Sequence, residues 1–238
     1  MKRIIAFALF ALAAIHSPAR AEAPPVVVEL FTSQGCSSCP PADEYLRELA
    51  ATPGILAFSM HVDYWNRLGW SDPFSSPEMT ERQRDYARNL GAGFVYTPQM
   101  VVMGRAHAVG SKRAEVARFI ARARAERPPP PAISISRAAP ARLRIAIGAK
   151  SFVGRATVWL VAYDTLHTTK IGAGENGGRT LTYANVVRAL RPVGLWVGSA
   201  AEFDVDIATE TKRGYERYAV IVQAGTSGPV IGGAALSR

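Results

Sequence analysis

Only two of the 238 residues are cysteine, so the chain is not a miniprotein held together by a disulfide framework. Charged side chains are scarce too, at 20%, while 48% of residues are apolar; a chain of that make-up buries a core and is not disordered. Beyond Ile15 no apolar run approaches the roughly 20 residues that a transmembrane helix needs. No internal repeat is visible. The length suits one large domain or two ordinary ones.

The N-terminus reads as an export signal. Lys2 and Arg3 form a basic start, Ile4 to Ile15 an apolar run, and Ala19-Arg20-Ala21 a small-x-small cleavage pattern. Cleavage near Ala21 predicts a soluble product, periplasmic or secreted, in a compartment where disulfides persist. The formal charge of +9 is unevenly spread: residues 22–104 carry net −5, residues 105–144 net +8, and residues 145–238 net +3. The excess falls on an arginine-rich segment from Arg113 to Arg127 with helical spacing, where Val116, Phe119, Ile120 and Ala123 share one face. A solvated outer face accounts for it; an anionic surface is the alternative, and nucleic acid is not expected outside the cytoplasm.

The chain divides at Pro128-Pro129-Pro130-Pro131, which cannot continue a helix. Before it, apolar runs alternate with helical patterns: strand Val26–Phe31, a helix opened by Pro40-Pro41-Ala42, strand Ile55–Val62, a helix capped by Ser76, strand Gln99–Met103, a short strand at His107–Val109, and a helix after Ser111. That is a βαβαββα order. After the prolines the pattern is period two, as in Leu143/Ile145/Ile147, Val158/Leu160/Ala162, Phe203/Val205/Ile207 and Val220/Val222. The expected organisation is a signal at 1–21, an α/β domain at 22–127, a proline linker at 128–131 and an all-β sandwich domain at 132–238.

One motif in the second half misleads. Gly172-Ala173-Gly174-Glu175-Asn176-Gly177 matches the dinucleotide pattern GxGxxG, but Thr180-Leu181-Thr182-Tyr183 after it favours a strand, not the helix whose N-terminus would meet a pyrophosphate. Asn176-Gly177 is a hairpin signal instead.

The chemistry is carried by Cys36-Ser37-Ser38-Cys39. The pair follows a strand and opens a helix, where free N–H groups and the positive dipole end stabilise a thiolate. Cys36, nearer solvent, is the expected nucleophile and Cys39 the resolving thiol. From the dipole and the neighbouring thiol alone, the Cys36 pKa is expected at roughly 6–7.5. Three other readings stand beside redox chemistry: a passive structural disulfide, copper(I) held by Cys36 and Cys39, and half of a zinc site. No other cofactor is expected; the redox-active disulfide would itself be the prosthetic group.

Val26 to Phe31, then CxxC, then a helix, then Thr97-Pro98 before a strand, resembles the thioredoxin superfamily. That resemblance implies a thioredoxin-like N-terminal domain with Pro98 cis beside the disulfide and the backbone at Thr97 pairing with an extended substrate. More narrowly, Glu29 to Asp43 (ELFTSQGCSSCPPAD), His61-Val62-Asp63-Tyr64-Trp65-Asn66, Tyr96-Thr97-Pro98-Gln99 and Gly174-Glu175-Asn176-Gly177 resemble the exported proteins of domain-of-unknown-function family 1223. Gly35 stands where well-studied thioredoxins have Trp before the first cysteine, and Ser-Ser supplies no basic residue between the two. Glu29, a charge inside an apolar strand, is either a proton relay or a satisfied structural carboxylate. His61, Asp63 and Trp65 close the second strand at the same edge as CxxC, as a second layer of the site or as a self-packed loop. The leading function is thiol–disulfide exchange with exported protein thiols or a redox partner; a copper(I)-binding module and a binding protein with a passive disulfide are the alternatives.

Overall fold

A computed structural model describes residues 23–126 and 128–237. The export signal and Arg127 lie outside the described residues. The elements run β1 (Val26–Thr32), α1 (Pro40–Ala50), β2 (Ile55–His61), a short 3-10 turn (Asn66–Leu68), α2 (Pro77–Asn89), β3 (Gln99–Val102), β4 (Ala106–Val109), α3 (Arg113–Glu126), β5 (Ile133–Ala139), β6 (Arg142–Ile147), β7 (Ala156–Lys170), β8 (Thr180–Trp196), β9 (Ala201–Asp206), α4 (Ala208–Lys212), β10 (Arg217–Ala224) and β11 (Val230–Ala235). Pro at the first turn opens both α1 and α2, where its missing N–H costs nothing, and Ser76 Oγ accepts from Met79 N to cap α2.

The expected pairing of a thioredoxin-like βαβαββα domain with a separate all-β sandwich is overturned by the sheet. Eight strands from both sides of the proline run form one mixed sheet in the order β11-β10-β7-β8-β2-β1-β3-β4. The halves join where β8 meets β2 in parallel at Ser59 and Val186. Asn185, at φ 48, bends the strand there and donates its side-chain amide to Ala57 O at 2.9 Å. The remaining strands, β5, β6 and β9, form a second sheet of three.

Two-sided burial explains why the sequence pattern misled. Alternate residues of β7 and β10 serve two cores. Val161, Tyr163, Ala219 and Ile221 pack with Val27, Leu30 and Phe58 of the first half. Val158, Leu160, Ala162, Val220 and Val222 face the other way, against Leu143, Ile145 and Ile147 of the small sheet. Strands buried on both faces read as near-continuous apolar runs, and a period-two reading sees only one of their faces.

A buried polar cluster also ties the halves. Glu29 on β1 receives Arg82 Nε at 2.6 Å and Tyr86 OH at 2.6 Å, both from α2. Gln223 of β10 accepts from Arg82 Nη2 at 3.1 Å and donates to Tyr86 Oη at 2.9 Å. Burial works against the Arg82 charge, but Glu29, Tyr86 and Asp85 together outweigh it and hold the guanidinium pKa above its ordinary value.

Candidate functional site

Cys36 and Cys39 form a disulfide with Cα atoms 5.4 Å apart, and Cys39 caps α1. The turn that carries them follows the carboxyl end of β1. Its fold is local: Cys36 N donates to Ser33 O, Cys39 N to Cys36 O, and Ala42 and Asp43 N both to Cys39 O. Ser37 and Ser38 are exposed, but Cys36 and Cys39 are both 0% exposed. The expectation that Cys36 lies nearer solvent is therefore corrected.

Trp65 lies against one side of the turn. A Cβ on Gly35 would come within 3.3 Å of Trp65 Cβ, a tight approach that favours a small residue before Cys36. The Trp65 indole N–H donates to Thr97 Oγ1 at 2.8 Å. The Thr97–Pro98 peptide is cis, and Pro98 O accepts from Gly110 N, whose own Cα packs on Ala42 of α1. Trp65 thus links Gly35 of the cysteine turn to Thr97.

The opposite side is closed by the second half of the chain. The hairpin of β7 and β8 is long, and its tip, residues 171–179, reaches the cysteines. Asn176, fully buried, donates its amide to Gln34 O at 3.0 Å and Cys36 O at 2.8 Å. Arg179 Nη1 donates to Asn176 Oδ1 at 2.8 Å and so fixes the amide's orientation. Glu175 Oε2 accepts from Ser37 N at 3.1 Å and Ser37 Oγ at 2.6 Å, and these bonds hold its pKa below the usual carboxylate value. Trp70 packs on Gly172 and Gly174 and donates its indole N–H to Gln34 Oε1 at 2.8 Å.

Behind the turn lies a set of buried titratable groups. Asp43, one helical turn after Cys39, accepts from Thr32 Oγ1 at 2.7 Å, while its Oδ2 has no partner. Burial pushes its pKa up to about 7, against the lowering effects of His61 and the Thr32 hydroxyl. His61 Nδ1 meets Asp72 Oδ2 at 2.7 Å, and His61 Nε2 is unpartnered. Burial disfavours the Asp72 charge, but His61 and the N–H groups of Gln34 and Phe74 hold its pKa below the ordinary value. Tyr183 stacks edge-on to His61 with ring centroids 4.8 Å apart; its phenol pKa is raised by burial and by Asp43 and Asp72.

Of the residues singled out in the sequence, Cys36 and Cys39 are bonded to each other, and Trp65 lies against Gly35 and bonds to Thr97, which precedes the cis Pro98. His61 joins the layer behind them. Asp63 does not: its Oδ1 accepts from Thr80 Oγ1 at 2.6 Å, on α2. Glu29 is occupied by Arg82 and Tyr86 as a satisfied structural carboxylate. Asp43, Asp72, Glu175, Asn176 and Tyr183 received no role from the sequence. The signal for Asp43 was its place one turn after Cys39, and for Glu175 and Asn176 a hairpin turn 140 residues away. Among the described residues no group of three or more His, Cys, Asp and Glu side chains is placed to hold a metal ion, and no helix is long and apolar enough to cross a membrane.

The family model described as protein of unknown function (DUF1223) matches residues 27–223. The chain belongs to this family. Among solved structures, protein AGR_C_4864 from Agrobacterium tumefaciens is similar at 35% identity, with 91% of this chain and 96% of that chain covered and a TM-score of 0.78. HBP35 of Porphyromonas gingivalis is similar at 11% identity over 90% of this chain and 75% of that one, with a TM-score of 0.54, a likeness of fold alone. No curated protein matches. The DUF1223 model takes in both the cysteine turn and the hairpin tip that closes on it.

Proposed function

We propose that this is an exported thiol–disulfide exchange protein acting on protein thiols, with Cys36 as the attacking sulfur and Cys39 as the resolving one. The observation that carries the reading is a buried acid, Asp43, one turn after Cys39 on the helix that the disulfide opens. A passive disulfide in a four-residue loop contributes only about 2 kcal/mol and has no use for such a neighbour. The leader sequence supports export, and Thr97 and Pro98 are the backbone along which an extended client would run.

The steps balance as follows. The Cys36 thiolate attacks a client disulfide, forming a Cys36–client bond and expelling one client thiolate, which takes a proton from water. Cys39 then passes its proton to the Asp43 carboxylate and attacks Cys36 Sγ, expelling the second client thiolate. The dithiol loses two electrons and the client gains two; the reverse reaction oxidises a client. A pKa near 7 lets Asp43 both take and return the proton at neutral pH.

The test is the reaction of reduced protein with dithiobis(nitrobenzoate). Wild type should release two equivalents of thionitrobenzoate in successive phases, and Cys39→Ser one. A Cys36→Ser protein that reacts as fast as wild type would remove Cys36 from its role, and a wild type inert to the reagent would end the exchange reading.

A further inference from the structure

The N-terminal turn of α1 has few donors to offer a thiolate. Pro40 and Pro41 have no N–H. Gln34 N is used by Asp72, Gly35 N by Ser33 Oγ, Cys36 N by Ser33 O, and Cys39 N by Cys36 O. Ala42 and Asp43 N both point to Cys39 O. What remains beside Cys36 is the Ser38 N–H, the Ser38 hydroxyl at 3.4 Å from Sγ, and the N–H and O–H of Ser37. Glu175 takes both of the Ser37 donors.

We propose that Glu175 sets the redox poise of the Cys36–Cys39 pair. Its carboxylate occupies the donors that a Cys36 thiolate would otherwise draw on, and it adds a like charge beside that thiolate. Both effects disfavour the thiolate, raise the Cys36 pKa and make the disulfide less oxidising. The relation is reciprocal: forming the thiolate weakens the Glu175–Ser37 contact, so ionisation of Cys36 loosens the hairpin tip. This rests on the exchange reading above and deepens it. Other titratable groups near the turn are Asp43 of α1, His61 of β2 and Asp72 behind it, Tyr183 of β8, and Arg179 in the tip. Arg179 is engaged with Asn176 and does not neutralise Glu175 in the structure.

The experiment is a charge series, wild type, Glu175→Gln and Glu175→Lys, with Glu216→Gln as a control. Glu216 is also a hydrogen-bonded carboxylate, held by Thr165 far along the chain from the cysteines. The Cys36 pKa is read from thiolate absorbance of protein reduced with dithiothreitol, and the dithiol–disulfide equilibrium from glutathione buffers. Two unit charges about 6 Å apart in water interact enough for a roughly threefold change, and more where solvent is partly excluded. The pKa should fall by about 0.5–1 from Glu to Gln and further to Lys, with the equilibrium moving about three- to tenfold toward the dithiol. High salt should shrink both effects. A flat series, or a control that moves equally, overturns the inference. Absence of any equilibration with glutathione in wild type would instead fail the exchange reading, while the absorbance titration still decides the role of Glu175.

Discussion

Asn176 donates to the carbonyl oxygen of Cys36 across 140 residues of chain, at 2.8 Å, and is fully buried in doing so. The same amide reaches Gln34 O. One side chain from the second half therefore serves two backbone acceptors of the cysteine turn: it is the partner of Gln34 O and a second donor to Cys36 O, beside Cys39 N.

Replacing Asn176 with Ala leaves Gln34 O unpaired and Cys36 O with the Cys39 N–H alone. The expected cost is about 1–3 kcal/mol in chemical denaturation. The turn should also become more open, so reduction of the disulfide by a small thiol should speed up. Unchanged stability with unchanged reduction rate would mean that the hairpin tip does not hold the turn.

Asp43 predicts a stability that falls as pH rises. Its folded pKa of about 7 lies above the ordinary value of 3.8, so the folded protein binds the proton more tightly than the unfolded chain. The favourable contribution is complete below about pH 4 and is lost progressively as pH approaches 7. Asp43→Asn should remove this dependence and be more stable than wild type at pH 8, by roughly 2–4 kcal/mol. Denaturation curves at pH 4.5 and pH 8 check it; parallel wild-type and variant profiles would show that Asp43 is not held protonated.

In exchange, the same Asp43→Asn protein should keep its first phase with dithiobis(nitrobenzoate) within twofold and lose about 100-fold in the second. Loss confined to the first phase would contradict the assignment of Asp43 to Cys39.

Glu29→Gln leaves the Arg82 guanidinium buried without its counter-charge. A loss of about 3–5 kcal/mol is expected. Glu29→Gln combined with Arg82→Met should recover part of it, because no charge is then left unpaired. Additive losses in this double-mutant cycle would argue against a direct pair.

A fragment of residues 22–127 lacks Val161, Tyr163, Val187, Ala219 and Ile221, which belong to the same core as Val27 and Leu30. It should show poor near-ultraviolet dichroism and bind hydrophobic dye, whereas cleavage of the folded chain near Pro128–Pro131 should leave two pieces that elute together. A fragment with a sharp unfolding transition would mean that its own contacts suffice.

Legibility in the sequence follows locality. Strand β1, the helix opened by Pro40, the cap at Ser76 and the cysteine turn are each determined by residues a few positions apart, and each is where the sequence puts it. The joining of β8 to β2 is determined by Asn185 and Ala57, which no local pattern connects. Asp43 was hidden because a carboxylate in the first turn of a helix ordinarily faces water and complements the dipole; here burial against Thr32 and His61 changes its meaning. The dipole argument for Cys36 overcounted its donors, although Pro40 and Pro41 already announced the missing N–H groups. Glu175 lies in a segment that reads as a hairpin turn, and only the folded hairpin brings it to Ser37.

Trp70 makes the molecule self-reporting. Its indole is pressed on Gly172 and Gly174 of the hairpin tip and bonded to Gln34 beside the cysteine turn, so it touches both segments at once. Trp159 and Trp196 sit in strands β7 and β8, while Trp65 lies against Gly35 on the other side of the turn. Any lifting of the tip brings water to an indole already in place, and a red shift in intrinsic emission would follow it in real time without a label.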